Sequence, residues 1–335
     1  MSSNNNNRDL TFDIMKGVGI LLVMAGHYWP ESLWPWVHKT IYSFHVPLFF
    51  LVAGYFSKPP KVGLLATIKK NAKRLLLPFV FTQLLIVLYG GLQAFAKHDA
   101  SYVIRPGLSL IWGGAEGISS QWGLICVGPM WFLLALFWGK TLFEFLISKL
   151  QGWRLLLTCF AISFASVLFR KYSYSPWCVF EGLYGLIFLY LGYMAKKAEI
   201  PKWIYYLSLI LWPIAVIVPQ LDISTVFVVR YLLSVLGACG GTIFLWFISL
   251  QLNRIKVMSK PVGWIGLFSL VFLCFHNFEW YTAIPYSIAI HMPFEIDGGW
   301  MMLLKFVFTI VLVLIAVNTP VVRDIYGTPK KTKEV

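Results

Sequence analysis

Charged residues are scarce in this sequence. Asp, Glu, Lys and Arg together make up 13% of its 335 residues, whereas a soluble domain carries about 25%. Hydrophobic residues make up 59% of the chain, which exceeds the share of about 45–50% that is usual in soluble domains. The composition therefore excludes an ordinary soluble globular protein and indicates an integral membrane protein.

Motifs that would indicate a disulfide framework or a metal site are also lacking. The five cysteines include no CxxC pair and lie within or beside apolar stretches, so neither disulfides nor zinc are expected. The sequence has no HxxxH or HExxH pair, so we expect no metal. Its start is polar, and the apolar segment that follows reaches Trp29 without a small-residue cleavage site. We therefore expect no signal peptide.

Ten apolar stretches are each of a length that suits a bilayer, given about 20 residues per helical span. They lie at about 14–30, 41–57, 75–96, 122–147, 154–169, 177–195, 203–219, 225–250, 262–280 and 300–320. The sequence therefore predicts an all-α, polytopic membrane protein with about ten transmembrane helices.

Basic residues alternate between the gaps that separate these stretches. The odd-numbered gaps hold few, namely Lys39, Lys97, Arg105, Arg170 and Lys171. Because basic residues concentrate on the cytoplasmic side of a membrane protein, the pattern predicts that both termini are cytoplasmic. The two ends and the even-numbered gaps hold most of the others: Arg8, Lys58, Lys61, Lys69, Lys70, Lys73, Arg74, Lys149, Arg154, Lys196, Lys197, Lys202, Arg254, Lys256, Lys260, Arg323, Lys330, Lys331 and Lys333.

The same clusters account for the formal net charge of +14, so nucleic acid is not expected as a partner. The chain shows no fixed-period repeat and no domain linker. We therefore predict one membrane domain over residues 1–335. It would have a polar cytoplasmic N-terminus over residues 1–12 and a basic cytoplasmic tail over residues 321–335.

Two ionisable residues stand out in the first apolar stretch, Lys16 and His27. They are 11 positions apart, which at about 100° and about 1.5 Å per residue places them on one helix face, about 16 Å apart. Lys16 would lie near the cytoplasmic surface, where it either pairs with Asp13 one turn earlier or extends to the lipid interface. His27 would lie deep, where an imidazole needs a hydrogen-bond partner or a wet cavity. His27 is therefore a candidate functional residue.

Two further histidines are predicted at a similar depth. His45 lies near the outer end of the second stretch, where Pro47 suits the first turn of a helix. His276 and Glu279 in the ninth stretch are three positions apart, so they can share a helix face. The histidines of these three stretches can converge on one site. A water-filled vestibule without a catalytic role is the alternative interpretation.

Other residues within the predicted spans carry weaker signals. Glu181 and Arg230 are each expected to form one half of an ion pair. The same reasoning applies to Lys305, for which extension to the lipid interface is the alternative. Pro129 lies inside the fourth stretch, where a proline is expected to kink or break the helix.

Several stretches together resemble the membrane acyltransferase family 3, and their order and spacing agree with that family over essentially the whole chain. The two opening motifs are fairly specific in combination. The stretches that carry the resemblance are 12–17 with 26–27, then 42–50 with 53–56, then 129–133, and finally Gly266, 269–270 and His276.

The resemblance implies transfer of an acyl group, commonly acetyl, from cytoplasmic acyl-CoA to a hydroxyl of a carbohydrate or a lipid-linked glycan. It also implies a multi-pass protein of the bacterial inner membrane, of the stand-alone type without a fused soluble domain. In this family, ten residues separate a basic residue, usually Arg, from the catalytic histidine. Lys16 and His27 match these two positions. Lysine keeps the charge but lacks the bidentate fork of arginine.

Further roles follow from the same resemblance. His27 is expected to act as the general base that takes the proton of the attacking hydroxyl, and a transient acyl-histidine is the alternative role. Glu279 or Asp13 would orient the site or balance its charge. The expected substrate-binding residues are Lys16, His45, Trp131 and His276, with the basic residues Lys69, Lys73 and Arg74 contacting the phosphates of acyl-CoA.

Two other classes of function remain open from the sequence. A transporter or a lipid-linked glycan flippase would also use ten spans, a broken helix and buried charges, but its two halves usually repeat and no such repeat is found here. A non-catalytic scaffold would leave three deep histidines without a use.

Overall fold

The computed structural model describes residues 10–28, 34–60, 63–117, 124–170, 172–197, 201–217, 228–292 and 298–328. Within these ranges the secondary structure is helical and contains no β-strand. Residues 1–9 and 329–335 of the two predicted tails and the side chain of Arg230 lie outside this description. The helices are α1 (Thr11–Tyr28), α2 (Pro35–Tyr42), α3 (His45–Tyr55), α4 (Leu64–Asn71), α5 (Leu77–Lys97), α6 (Ser101–Trp112), α7 (Trp131–Lys149), α8 (Gly152–Arg170), α9 (Val179–Tyr184), α10 (Leu186–Ala195), α11 (Lys202–Ile217), α12 (Val228–Leu252), α13 (Lys256–Leu267), α14 (Ser269–Thr282), α15 (Ile284–Ala289), α16 (Gly298–Asn318) and α17 (Pro320–Ile325).

The prediction of an all-α, polytopic membrane protein is confirmed. In the described residues, five helical segments are long and apolar enough to cross a membrane, or up to seven if each of the two bent pairs, α9–α10 and α13–α14, counts as one span. A helix also coincides with each of the ten predicted stretches. The count of ten spans stays a prediction, because α1, α3 and α11 are not among these candidates.

The chain divides into two compact units. Unit 1 comprises Met1–Phe49, Ile200–Leu221 and Leu232–Ser269, and unit 2 comprises Phe50–Glu199, Asp222–Tyr231 and Leu270–Val335. The prediction of a single membrane domain over the whole chain stays a prediction.

In unit 1, α1 packs along α13. The two helices meet backbone to backbone, because a Cβ atom at Gly17 would overlap the carbonyl oxygen of Val262 and one at Gly266 would overlap that of Asp13. Small residues allow such close approach between membrane helices. The contact fixes the helical turn that carries Asp13 and Lys16.

In unit 2, the end of α3 crosses α10 in the same manner. A Cβ at Gly54 would overlap the carbonyl oxygen of Leu189, and one at Gly192 would overlap that of Leu51. A second group of contacts joins α7 to α4 and to the π-helical turn Ala72–Leu76 that follows α4. Helix α7 thus packs against the segment that carries Lys69, Lys73 and Arg74.

One expectation about the spans was wrong. Pro129 does not lie inside a helix: it belongs to the 3₁₀ turn Gly128–Met130, which leads into α7 at Trp131. Proline suits a helix start, because its missing N–H has no intrahelical partner there. Lys305 shows the ion-pair alternative, since its Nζ lies 3.8 Å from Oε1 of Glu279.

The expected ion pair of Glu181 is confirmed. Its Oε1 accepts a hydrogen bond of 3.0 Å from Nε of Arg170, at the end of α8. Glu181 also accepts a hydrogen bond from the Ser175 hydroxyl, and Arg170 pairs with Glu116. These contacts tie the C-terminal end of α8 to the start of α9.

Candidate active site

Helix α1 carries three of the predicted site residues on one uninterrupted segment, Thr11–Tyr28. Asp13 lies in its first turn and His27 in its last. The Nζ atom of Lys16 lies 2.7 Å from Oδ1 of Asp13, and the carboxylate is buried while the lysine is partly exposed. The pairing expected from the spacing is therefore present, and it holds a cation in the first half of the helix that presents His27 at its other end.

His27 has a hydrogen-bond partner in the next helix. Its Nδ1 atom lies 3.3 Å from the hydroxyl oxygen of Tyr42, the last residue of α2. The two rings meet edge to face, with centroids 6.1 Å apart. For Nε2 of a neutral His27 to accept a proton, Nδ1 must carry the ring hydrogen and donate it to the Tyr42 oxygen. Tyr42 is thus placed to set both the orientation and the tautomer of His27.

Tyr42 also contacts two other histidines. The ring of His38 stacks on it with a centroid distance of 4.0 Å, and the ring of His45 meets its edge at 4.7 Å. Nδ1 of His45 lies 2.9 Å from the carbonyl oxygen of Ile41. Because a carbonyl only accepts, Nδ1 is the donor, and Nε2 of a neutral His45 is left as an acceptor. We call His27, His38, Tyr42 and His45 the histidine cluster.

Sequence reasoning missed Tyr42 and His38 as members of this cluster. Tyr42 falls within the motif stretch 42–50, and neither residue is among the predicted site residues. The spacing carried a signal, because His38, Tyr42 and His45 follow one another at four and then three positions. That periodicity places side chains on one face when the segment is helical.

A second group of predicted residues lies in unit 2. Nδ1 of His276 lies 3.5 Å from Oε2 of Glu279, both side chains are fully buried, and both belong to α14. Lys305 approaches the other oxygen of Glu279, and its Nζ atom lies 4.5 Å from the ring centroid of Tyr286. The carboxylate of Glu279 therefore contacts both the imidazole of His276 and the ammonium group of Lys305. The spacing in the sequence predicted the contact with His276 but not the contact with Lys305.

The predicted phosphate-contacting residues Lys69, Lys73 and Arg74 lie at the end of α4 and in the π-helical turn that follows. All three side chains are exposed, and within the described ranges none forms an ion pair with an acidic side chain. A π-helical turn inserts an extra residue into a helix and is often found at functional sites. The segment therefore carries three exposed cations.

A buried ion network lies beneath this basic segment. Glu144 of α7 is buried and pairs with Lys70 at 2.9 Å and with Lys140 at 3.0 Å. Asn71 donates hydrogen bonds from Nδ2 to Glu144 and to Thr141. Sequence reasoning did not single out these residues, because nothing in the spacing between α4 and α7 predicts that their side chains meet.

Trp131, the remaining predicted substrate-binding residue, is the first residue of α7. It is partly buried, and its ring contacts that of Phe132 at a centroid distance of 6.3 Å. The 3₁₀ turn before it is held near α14, where the Tyr281 hydroxyl donates a hydrogen bond to the carbonyl oxygen of Cys126. This hydrogen bond thus helps to fix the start of α7, and with it the position of Trp131.

The structure therefore brings together two sets of predicted residues, one in each unit. His27 and His45 meet around Tyr42 in unit 1, and His276 pairs with Glu279 in unit 2. The convergence of all three histidines stays a prediction. Among the described residues, no group of three or more His, Cys, Asp or Glu side chains is arranged to hold a metal ion.

The sequence matches the model of a known protein family. A family model described as an acyltransferase domain, acyltransferase family 3, matches residues 9–317. The chain belongs to this family. The matched region contains α1 with Lys16 and His27, the histidine cluster, and the His276–Glu279 pair.

Two curated relatives are similar over part of their length. Nodulation protein NolL of Mesorhizobium japonicum is 28% identical over 191 residues, which is 52% of this chain and 47% of that protein. Nodulation protein NolL of Sinorhizobium fredii is 31% identical over 160 residues, which is 44% of this chain and 38% of that protein. The chain thus spans less than half the length of these relatives. No solved structure matches it significantly.

Proposed function

We propose that this member of acyltransferase family 3 is a membrane O-acyltransferase. It transfers an acyl group, acetyl in the first instance, from cytoplasmic acyl-CoA to a hydroxyl of a carbohydrate or a lipid-linked glycan. The observation that carries the proposal is the contact between His27 and Tyr42, because it gives the half-buried imidazole at the end of α1 the partner that a general base requires. Family membership supplies the reaction class.

The proposed reaction uses the two nitrogens of His27 for different tasks. Nδ1 donates its hydrogen to Tyr42, while Nε2 takes the proton of the acceptor hydroxyl as the oxygen attacks the thioester carbonyl. An oxygen–carbon bond forms, the carbon–sulfur bond breaks, and the CoA thiolate leaves with the proton that His27 returns. A hydroxyl is a weak nucleophile near neutral pH, and a positioned base typically contributes about 10²–10⁴-fold to such a step.

Neighbouring residues of unit 1 have supporting roles in this proposal. His45 holds its proton on Nδ1, so its Nε2 accepts a hydrogen bond from a hydroxyl of the acceptor. Asp13 lies 14 positions before His27 on the same helix, about 21 Å along the axis at about 1.5 Å per residue. Its proposed role is therefore to hold Lys16, and Lys16 contacts a phosphate of the donor.

Unit 2 supplies the remaining proposed groups. Lys69, Lys73 and Arg74 are exposed cations for the phosphates of acyl-CoA. His276 and Trp131 contact the acceptor, and Glu279 orients His276 and balances its charge. The proposed location is the bacterial inner membrane, with lipid around the apolar helices. The loops that are rich in lysine and arginine would lie in the cytoplasm.

The test is acyl-CoA consumption by the purified protein, followed as release of free thiol with acetyl-CoA and a panel of glycan acceptors. Turnover by the wild type that is lost in His27→Ala, with the variant still folded, supports the proposal. A wild-type protein that binds neither acetyl-CoA nor longer acyl-CoA, yet moves a glycan across a vesicle membrane, would establish the transporter class instead.

A further inference from the structure

Unit 1 contains a cavity of about 540 Å³, a size within the range of about 300–1,000 Å³ that is usual for small-molecule sites. Its wall includes Thr11, Lys202, Tyr205, Phe247, Gln251 and Arg254. None of these residues belongs to the catalytic or substrate-binding residues proposed above.

Three separate parts of the chain meet at this cavity. Thr11 is the first residue of α1, Lys202 is the first residue of α11, and Arg254 follows the end of α12. A hydrogen bond of 3.3 Å from Nδ2 of Asn253 to Oγ1 of Thr11 joins the end of α12 to the start of α1. The basic-residue pattern independently assigns all three parts to the cytoplasmic side. The cavity therefore lies at the end of α1 nearer to Lys16, away from His27.

The charged side chains that line this cavity are basic. Lys202 and Arg254 are both exposed at the cavity, and none of the described residues that line it is acidic. Thr11 and Lys202 also begin helices of 18 and 16 residues, and the amino end of a helix carries a partial positive charge that favours anions. A phosphate group satisfies both features, because arginine and lysine bind it through charge-assisted hydrogen bonds.

The rest of the wall suits a planar or apolar group attached to that phosphate. The rings of Tyr205 and Phe247 lie with centroids 5.6 Å apart and planes inclined by 38°. Gln251 adds a side-chain amide that can both donate and accept hydrogen bonds. Aromatic walls with a few polar groups are typical of sites that bind small organic molecules.

We propose that this cavity is a binding site for an organic phosphate, with Lys202 and Arg254 as its phosphate ligands and Tyr205 and Phe247 as the walls for the attached group. Two molecules at the cytoplasmic surface carry this chemistry: the nucleotide end of the acyl donor and the headgroup of an acidic phospholipid. The first source rests on the proposed function, whereas the binding site itself does not.

The primary experiment measures the binding of adenosine 3′,5′-bisphosphate by calorimetry to the full chain in nanodiscs of zwitterionic lipid. The double variant Lys202→Gln/Arg254→Gln is expected to bind at least about tenfold more weakly, because two charge-assisted contacts are lost. The matched control is Lys256→Gln/Lys260→Gln, which removes the same charge from the exposed face of α13 outside the cavity. Tyr205→Leu is expected to weaken binding, whereas Trp203→Leu on the same helix is not.

A second arm identifies the source of the phosphate. The proteins are placed in nanodiscs that contain phosphatidylglycerol, and retained lipid is measured by native mass spectrometry. Lipid retained by the wild type and lost in Lys202→Gln/Arg254→Gln supports a headgroup as the ligand. A raised KM for acetyl-CoA in that variant, with kcat unchanged, supports the donor.

The proposal and the proposed function can fail separately. If the bisphosphate and the lipid bind equally well to the cavity variant and to its control, the binding site is disproved, even if the protein transfers acyl groups. If the cavity variant loses phosphate binding while the wild type shows no acyl transfer, the binding site stands and the proposed function fails.

Discussion

The backbone of Gly266 lies directly against the carbonyl oxygen of Asp13, so closely that a Cβ atom there would overlap it. This contact joins α13 to the turn of α1 that holds Lys16. We therefore expect Gly266→Ala to destabilise the protein by about 1–3 kcal/mol through overpacking. Thermal unfolding in detergent measures the change.

Gly107 provides the matched control for that substitution. It lies within α6, and a Cβ atom there would meet nothing within 4 Å. Gly107→Ala is expected to raise stability by about 0.4–1 kcal/mol, because alanine restricts the unfolded chain. Equal unfolding temperatures for the two alanine variants would contradict the close packing of α1 and α13.

The contact of Tyr42 with His27 predicts a graded loss of activity. His27→Ala is expected to reduce kcat by about 10²–10⁴-fold, because the general base is removed. Tyr42→Phe should cause a smaller loss, since the imidazole remains but its orienting hydroxyl is gone. The rate of acyl transfer at saturating donor measures both changes.

His38→Gln is the control for these two variants. It removes the ring that stacks on Tyr42 but leaves the hydrogen bond between Tyr42 and His27 in place. We expect near wild-type kcat. A His38→Gln variant as inactive as His27→Ala would show that the assignment within the histidine cluster is wrong.

Lys16 is expected to act on donor binding and not on the chemical step. Lys16→Ala should raise the KM for acyl-CoA while kcat changes little, and Lys16→Arg should retain affinity because the positive charge remains. Asp13→Asn should weaken donor binding less than Lys16→Ala, since it loosens the cation without removing it. Unchanged affinity and normal activity in Lys16→Ala would overturn this role.

Two buried asparagines are expected to respond in opposite ways to replacement by leucine. Asn71 donates two hydrogen bonds, to Thr141 and Glu144. Asn277 is fully buried, and neither polar atom of its side chain has a hydrogen-bond partner among the described residues. An unsatisfied buried polar group costs about 1–3 kcal/mol. Asn71→Leu should therefore lower the unfolding temperature, and Asn277→Leu should maintain or raise it. A comparable loss in both would show that Asn277 is paired.

The ion network around Glu144 predicts that a second substitution restores stability that the first one removes. Glu144→Gln leaves Lys140 buried with weaker compensation, and breaking a buried pair typically costs about 3–5 kcal/mol. Replacing both residues, as Lys140→Met/Glu144→Leu, removes the uncompensated charge and should recover much of the loss. Denaturation of the three proteins in the same detergent tests this. A double variant less stable than Glu144→Gln would contradict the expectation.

Several features of the site followed from spacing within a single helix. Asp13 and Lys16 are three positions apart, as are His276 and Glu279, and both pairs are in contact. Helical geometry fixes such neighbours without knowledge of the rest of the fold. Pro129 was misplaced because hydropathy does not distinguish a buried 3₁₀ turn from the helix that follows it.

Contacts between segments that are far apart in the sequence could not be predicted from spacing. Glu144 meets Lys70 across a separation of 74 positions, and Lys305 meets Glu279 between two helices. Neither pair has a local signal, because helix rotation and depth decide which long side chains face each other. The cavity near Arg254 likewise depends on three helix ends that are far apart in the chain.

The sequence by itself determined the helical membrane architecture, the predicted orientation and the family, because hydropathy, charge distribution and motif order are properties of the linear chain. Only the tertiary structure decided that Tyr42 lies beside His27, His38 and His45, that Glu144 holds two lysines, and that Thr11, Lys202 and Arg254 line one cavity. These relationships arise from how rigid helices approach and rotate against one another, and close packing at glycines such as Gly17 and Gly266 sets that geometry.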